Sequence, residues 1–236
     1  FLISFIYFYF SKKIKPIKMR ICFIILTLII VQGIIGWYMV MSGLVNDISV
    51  SHYRLSIHLF TAFLIISIIF WLIKNVISNE NKIFFTYSVR NLPFQIFIFL
   101  IFLQIIMGAF VSGLDAGKIY QTWPLMGNTY FPNDLLLENH NNIFEFDNHS
   151  LVQFYHRNLA YLIIVYALFL TIFIYKKKLS NLYNSLKILI FFLFVQVILG
   201  IFTLVSGLNI YLASTHQITS VLLIFSALNL YYLRVK

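Results

Sequence analysis

Three histidines recur at equivalent places in this sequence, each inside a long apolar run. His58, His156 and His216 each fall about five residues after the start of such a run. At 1.5 Å per residue, an imidazole there lies roughly 8 Å along a helix that enters from one common side. A single histidine in an apolar helix is commonly a hydrogen-bonded packing residue, but three at one depth favour a role as ligands.

The type of ligand follows from what accompanies the histidines. Zinc is disfavoured because no carboxylate or thiolate lies near them at ligand spacing. The single cysteine, Cys22, lies within an apolar run and has no second cysteine to pair with. Haem iron needs only one axial imidazole from each of two facing helices. The pattern therefore predicts a bis-histidine haem site.

Two arginines accompany these histidines. Arg54 lies one helical turn before His58, and Arg157 directly follows His156. A guanidinium group can pair with a haem propionate in a partly desolvated site. The alternative is that these side chains extend toward lipid headgroups.

A repeated pattern precedes each histidine-bearing run. It reads "VQGIIGWYMVMSGL" (31–44), "LQIIMGAFVSGL" (103–114) and "VQVILGIFTLVSGL" (195–208). In each copy a glycine follows a glutamine by four residues, which puts both on one helix face. A small residue lets a neighbouring helix or a flat macrocycle approach the backbone. One copy alone would indicate ordinary helix packing, but three matched copies indicate a duplicated helix set and two related bundles.

The composition is that of an integral membrane protein. Of 236 residues, 61% are hydrophobic and 10% charged, with a mean hydropathy of +0.91, whereas soluble domains carry about 25% charged residues. Six apolar runs are long enough to span a bilayer. They cover residues 20–43, 54–74, 92–113, 151–175, 187–208 and 211–233.

The predicted fold is an all-α polytopic membrane helix bundle made of two repeated four-helix bundles. The first bundle is expected to be incomplete, because "FLISFIYFYF" at the start is too short to span and is interpreted as the second half of a helix. The prediction is thus six full spanning helices and one partial helix. The expected domains are residues 1–90 and residues 91–236, the second including an outer loop at 114–150.

Charge predicts orientation rather than a nucleic-acid partner. The net charge is +10, but no polar domain is large enough to gather the basic residues. Most of them flank the apolar runs on one side, and most acidic residues lie on the other. The positive-inside rule then places the C-terminus inside and the loops 44–53 and 114–150 outside.

Four segments carry a resemblance to a known family. They are "GWYMVMSGLVNDISVSHYRLSIHL" (36–59), "GAFVSGLDAGKIYQTWPLMG" (108–127), "QFYHRNLAYL" (153–162) and "LGIFTLVSGLNIYLASTHQ" (199–217). Together they resemble haem A synthase, the CtaA family, in its alphaproteobacterial and mitochondrial form. The similarity runs from about residue 20 to the end of the sequence.

The resemblance implies an oxidoreductase of eight helices that oxidises a methyl group of haem O to the formyl group of haem A for the terminal oxidase. It implies that His156 and His216 hold a haem b cofactor through its iron. His58 would be a catalytic residue and one of two ligands of the substrate haem. The motif that supplies the second ligand in the family is not found in this sequence, so the chain as given is expected to be incomplete for turnover.

The expected partners are haem O synthase, a ferredoxin-type electron donor, the assembly pathway of the terminal oxidase and the lipid bilayer. The expected location is the bacterial inner membrane or the mitochondrial inner membrane. The oligomeric state stays open, with a homo-oligomer among the alternatives. Two other functions also stay open: a bis-histidine membrane cytochrome b for electron transfer, and a transporter or haem-handling assembly factor.

Overall fold

The computed structural model describes residues 1–43, 50–86, 88–137 and 144–235. The secondary-structure elements within these residues are all helices. The helices are α1 (Leu2–Ser11), α2 (Pro16–Gly43), α3 (His52–Ile77), α4 (Leu92–Gly113), α5 (Asn133–Leu137), α6 (His149–Lys176), α7 (Tyr183–Val205) and α8 (Ile210–Arg234). The predicted loop 44–53 lies mostly outside the described residues, as does part of the predicted loop 114–150.

Six of these helices, α2, α3, α4, α6, α7 and α8, are long and apolar enough to cross a membrane. The helix α1 has only 10 residues. The prediction of an all-α polytopic bundle with six full spans and one short helix is confirmed for the part of the chain described. Helices form here because a lipid-exposed segment must satisfy its backbone hydrogen bonds internally.

Asparagines begin the two helices that carry His156 and His216. The side chain of Asn148 accepts a hydrogen bond from the backbone N–H of Leu151 at the start of α6. The side chain of Asn209 accepts from the backbone N–H groups of Tyr211 and Leu212 at the start of α8. Such caps satisfy N–H groups that have no partner in the first helical turn. They also set where along the sequence each helix begins, and so the depth of its histidine.

The spanning helices form three antiparallel hairpins, in which α2 packs along α3, α4 along α6, and α7 along α8. The helix α4 is central, because it also packs against α3 and α8. The main apolar core lies between α3, α4, α6, α7 and α8, and includes Phe97, Leu170, Leu189, Ile224 and Tyr231. The helix α2 is peripheral, and Ile25 is its only buried apolar residue among the side chains described.

The predicted domain boundary near residue 90 falls in the connection between α3 and α4. At this end of the bundle Asn75 of α3 is 3% exposed, and its side chain exchanges two hydrogen bonds of 3.0 Å with the backbone of Lys82. The hydroxyl of Tyr232, on α8, donates to Asn75 Oδ1 at 3.2 Å. Helices from both predicted domains are thus joined here, and the division into two bundles stays a prediction.

Candidate functional site

Each hairpin brings the histidine of its second helix against the glutamine of its first helix. In the α2–α3 hairpin the amide nitrogen of Gln32 donates to the backbone carbonyl of His58 at 3.0 Å, and lies 3.3 Å from His58 Nε2. Gln104 makes the same contacts with His156, at 3.1 Å from the carbonyl oxygen and 3.2 Å from Nδ1. Gln196 repeats them with His216, at 3.0 Å and 3.4 Å.

The glycine of each repeat lies against the same imidazole. A β-carbon added to Gly36 would lie 3.0 Å from Cε1 of His58, one on Gly108 would lie 3.3 Å from Cε1 of His156, and one on Gly200 would lie 3.1 Å from Cε1 of His216. These distances are shorter than an ordinary van der Waals contact between carbon atoms. The glycines therefore accommodate the imidazole rings themselves, which differs from the predicted role of clearing room for a macrocycle.

The three histidines lie at matched depth. Each follows the first residue of its helix by six or seven residues, which is roughly 9 to 11 Å along the axis. His156 lies on α6 and His216 on α8, and their assignment as one ligand pair stays a prediction.

Several polar atoms at these hairpins are buried and have no hydrogen-bond partner among the described residues. They are Nδ1 of His58, Nδ1 of His216, Oε1 of Gln32 and Oε1 of Gln104. Leaving such a group unpaired costs about 1 to 3 kcal/mol. Ring nitrogens buried without a partner fit the donor set of a haem iron, which takes imidazole nitrogen as an axial ligand.

The described residues contain no group of three or more His, Cys, Asp or Glu side chains that could hold a metal ion. A haem site does not require such a group, because the porphyrin supplies the equatorial ligands and the protein only the axial ones. The residues present therefore fit haem and do not fit a protein-only metal centre. Axial ligation by His58, His156 and His216 stays a prediction.

The two arginines are placed differently from each other. The guanidinium carbon of Arg54 lies 4.7 Å from the centre of the Tyr38 ring, a distance typical of a cation–π contact. The guanidinium of Arg157 donates to three backbone carbonyls, those of Tyr120 and Thr122 at 2.8 Å and that of Leu125 at 3.3 Å. The predicted propionate contacts of both arginines stay predictions, and Arg157 Nε is buried without a partner among the described residues.

Arg157 is part of a polar cluster that holds residues 119–134 over the α4–α6 hairpin. These residues are called the outer segment, after their predicted side of the membrane. Gln153 Nε2 donates to the Tyr120 carbonyl at 2.8 Å, and the Tyr120 hydroxyl donates to Asp134 Oδ1 at 2.6 Å. Burial raises the pKa of Asp134, but hydrogen bonds from Ser150 and Tyr120 outweigh it and hold that pKa below its ordinary value. Burial, together with the hydrogen bond to Asp134, raises the pKa of Tyr120.

Comparison with known proteins connects this geometry to a family. The family model described as COX15-CtaA, cytochrome oxidase assembly protein, matches residues 1–228. The chain belongs to the COX15-CtaA family. The match covers the helices of all three hairpins almost completely, so the resemblance stated from the sequence is confirmed.

Curated relatives of this COX15-CtaA chain carry the name "Heme A synthase". The protein from Pelagibacter ubique is 42% identical over 202 residues, which cover 84% of this chain and 58% of the relative. That from Flavobacterium psychrophilum is 38% identical, covering 95% of this chain and 66% of the relative. That from Rickettsia prowazekii is 36% identical, covering 99% and 69%. The chain thus spans about three fifths to two thirds of the length of these relatives.

Some residues of the COX15-CtaA chain were not predicted from the sequence as part of the site. The glutamines were visible in the repeat, yet their pairing with His58, His156 and His216 was not predicted. Thr219, which donates to Gln196 Oε1 at 2.7 Å, had a detectable signal in its position one turn after His216. The pairing of Tyr120 with Asp134 had none, because nothing in the spacing of two loop residues indicates a contact.

Proposed function

We propose that this protein acts as a haem A synthase, an oxidoreductase that converts a methyl group of haem O to the formyl group of haem A for cytochrome oxidase. The observation that carries the proposal is the threefold arrangement of a histidine against the Gln–Gly face of the preceding spanning helix, with His156 and His216 at matched depth on α6 and α8. It is supported by membership of the COX15-CtaA family and by relatives named "Heme A synthase". An electron-transfer cytochrome b is the alternative that the experiment below distinguishes.

In this proposal His156 and His216 hold a resident haem b, and His58 provides one ligand for the substrate haem. Bound haem supplies the oxidising capacity that side chains lack. The residues of this chain supply position: glycines seat the rings, and the core around α4, α6, α7 and α8 excludes water. Exclusion of water would also protect reactive species formed during the oxidation from side reactions with solvent.

The arginines have separate parts in this proposal. Arg54 lies one turn before His58 and Arg157 directly follows His156, and both bear the charge that haem propionates would need. Since the terminal nitrogens of Arg157 already bind backbone carbonyls, its main contribution is to hold the outer segment. Its remaining N–H, at Nε, is available to a carboxylate.

The proposed orientation in the membrane follows from the charge distribution. The C-terminus lies on the cytoplasmic or matrix side of the bacterial or mitochondrial inner membrane, in agreement with the positive-inside rule. Haem O synthase would supply the substrate and dioxygen would be the oxidant. A ferredoxin-type protein would donate the electrons that reduce the second oxygen atom of dioxygen to water, and oxidase assembly would take up the product. These partners are part of the proposal.

The test is extraction and mass analysis of haem from membranes that express the chain with haem O synthase and no other haem A synthase. The chain is tested alone and with the N-terminal segment of a relative joined before Phe1. Matched variants are His156→Ala and His216→Ala, with His149→Ala, an exposed residue at the start of α6, as the control.

We expect haem A or its alcohol intermediate from the joined protein and from its His149→Ala variant, and loss of haem b from both ligand variants. Haem b without a modified haem in the joined protein would identify an electron-transfer cytochrome instead. Absence of haem from every form, or retention unchanged by His156→Ala, would overturn the ligand assignment.

A further inference from the structure

The turn between α7 and α8 contains a leucine in a backbone conformation that leucine rarely adopts. Leu208 has a φ of +63°, in the left-handed region, and directly follows Gly207, which has a φ of +73°. A β-carbon disfavours this region, so residues other than glycine adopt it at a conformational cost. The turn thus keeps a leucine where glycine would cost less. An outlier of this kind points to a role for the side chain.

The way in which α7 ends accounts for Gly207 and not for Leu208. The N–H of Gly207 donates to the carbonyl of Leu204 at 3.2 Å, and the N–H of Leu208 donates to the carbonyl of Thr203 at 2.9 Å. This is the Schellman pattern of a helix end, which needs a left-handed residue at the position of Gly207. The pattern places no such requirement on Leu208.

The side chain of Leu208 lies against a different part of the chain. A β-carbon added to Gly117 would lie 2.8 Å from Cδ2 of Leu208 and 3.2 Å from its Cδ1. Gly117 is buried in the short 3₁₀ helix Ala116–Lys118, which packs against both α4 and α6. In a second contact nearby, a β-carbon on Gly207 would lie 3.6 Å from Oε1 of Gln121. Leu208 therefore joins the α7–α8 turn to the α4–α6 hairpin.

This contact lies at the end of the bundle where the two helices with the C-terminal histidines begin. His156 is on α6 and His216 is on α8. In the described part of the chain α6 and α8 do not pack along each other, and α4 lies against both of them. Their separation at this end therefore depends on what connects the beginning of α8 to the α4–α6 hairpin. Leu208, two residues before α8, makes that connection.

We propose that Leu208 is a positioning residue which, seated on Gly117, fixes the spacing between the beginnings of α6 and α8 and so slows the loss of haem b from His156 and His216. The inference rests on the proposed haem ligation and goes beyond it by giving a role to the α7–α8 turn. Two axial ligands on different helices hold one iron only while those helices keep their separation. The left-handed leucine is then explained, since glycine would leave the contact with Gly117 unmade.

Three substitutions separate the side chain of Leu208 from its backbone. Leu208→Ala removes the contact but keeps a β-carbon, and with it the conformational cost. Leu208→Gly removes both the contact and the cost. Gly117→Ala places a methyl group 2.8 Å from Cδ2 of Leu208 and forces the leucine to shift. Leu168→Ala is the matched control, because Leu168 on α6 is 58% exposed.

The first measurement needs no haem. Spin labels are attached at His149→Cys and Tyr211→Cys, two exposed positions at the beginnings of α6 and α8, in the whole chain with Cys22→Ser. Pulsed electron paramagnetic resonance then gives the distance between the labels. We expect one narrow distribution without further substitution and in Leu168→Ala, and a broader or longer one in Leu208→Ala and Leu208→Gly. An unchanged distribution in these two variants would overturn the proposal.

The second measurement is the rate at which the purified, haem-loaded chain loses haem b to an excess of apomyoglobin. We expect about 10-fold faster loss in Leu208→Ala and in Leu208→Gly, and no change in Leu168→Ala. If Leu208→Gly lost haem at the rate of the unsubstituted chain while Leu208→Ala lost it faster, the backbone conformation would matter and the side chain would not. That result would contradict the proposal.

A double-substituted chain tests the contact itself. Gly117→Ala alone should also speed the loss of haem b. Combined with Leu208→Ala it should add little, because both substitutions disrupt one contact. Fully additive effects would show that the two residues do not act through each other, and the proposal would be wrong.

The two measurements also separate this proposal from the proposed function. If the unsubstituted chain binds no haem b, the proposed function fails, and the label distances still decide whether Leu208 sets the spacing. If the distances change in the Leu208 variants while the rate of haem loss does not, Leu208 sets the spacing without retaining haem. The proposal is then overturned, and the ligand assignment stands.

Discussion

A β-carbon on Gly200 would lie 3.1 Å from Cε1 of His216, so the backbone of α7 itself forms a wall of the imidazole site. The same relationship joins Gly108 to His156 and Gly36 to His58. Each ring is seated by two residues four apart on one helix face. The position of the ring is therefore sensitive to a single methyl group.

Gly200→Ala is expected to displace His216 and weaken haem b binding. The imidazole must move by a few tenths of an ångström, and rings that ligate metals tolerate little misplacement. We expect an affinity loss of about 10-fold or more, measured by haem titration of the purified chain. Unchanged affinity would show that the ring can turn away from the new methyl group without losing its ligating geometry.

The α2 helix offers a haem-independent version of the same test. A β-carbon at Gly36 would lie 3.0 Å from His58, whereas nothing lies within 4 Å of one at Gly33. Gly33→Ala should stabilise the helix by roughly 0.5 to 1 kcal/mol through reduced backbone entropy. Gly36→Ala should not give this stabilisation, because the new methyl group forces His58 to shift. Thermal unfolding in detergent measures both, and equal stabilisation would contradict the close contact.

Arg157→Lys should loosen the outer segment. One guanidinium reaches the carbonyls of Tyr120, Thr122 and Leu125, and an ammonium group cannot reproduce this planar fork. We expect a loss of about 2 kcal/mol and faster proteolysis between residues 119 and 126. Arg90→Lys, at an exposed position just before α4, is the control. Intact protease resistance in Arg157→Lys would argue against the anchoring role.

The Tyr120–Asp134 pair predicts how the outer segment responds to pH. The pKa of Asp134 is lower in the folded protein than its ordinary value of 3.8. The stability that its carboxylate adds to the outer segment is therefore complete above pH 3.8 and is lost as the pH falls through the lower, folded pKa. The pKa of Tyr120 is higher in the folded protein than its ordinary value of 10.0. The stability that its hydroxyl adds is therefore complete below pH 10.0 and is lost as the pH rises through the higher, folded pKa. Protease resistance of this segment should therefore be constant between these limits.

Tyr120→Phe separates the two contributions. It removes the hydroxyl that donates to Asp134 at 2.6 Å, so the loss at high pH should disappear. The acid limit should move toward the ordinary value of 3.8, because Asp134 loses one of the bonds that lower its pKa. A profile identical to that of the unsubstituted chain would contradict the pairing.

Asn75→Ala should destabilise the end of the bundle at which α3 and α8 meet the loop after α3. Asn75 holds both backbone polar groups of Lys82 and receives a bond from the Tyr232 hydroxyl. Its removal deletes three hydrogen bonds and leaves the Lys82 N–H without this acceptor, whereas the Lys82 carbonyl keeps Trp71 and the Tyr232 hydroxyl keeps Glu80. We expect a loss of about 2 to 3 kcal/mol in the free energy of unfolding. Asn229→Ala is the comparison, since Asn229 bonds the Ser185 hydroxyl at 2.9 Å and should cost about 1 kcal/mol. Equal losses would show that the extra bonds of Asn75 contribute nothing.

The sequence by itself determined the helices, their spans and the depth of the three histidines. Long apolar runs have one stable form in lipid, because the backbone must satisfy its own hydrogen bonds. The place of His58, His156 and His216 then followed from counting residues along each run at a constant rise. The repeat of glutamine and glycine also showed which helix faces are equivalent.

Only the tertiary structure decided what those faces contact. Gln32 and His58 are 26 residues apart, Gln104 and His156 are 52 apart, and Gln196 and His216 are 20 apart. No local pattern specifies such pairs, since they depend on how two helices rotate and slide against each other when their side chains pack. Which backbone carbonyls Arg157 bonds depends likewise on the path of the outer segment, and no periodicity in the sequence predicts that path. The physical reason is the same in both cases: helix formation is a local property, and side-chain partnership depends on packing between distant segments.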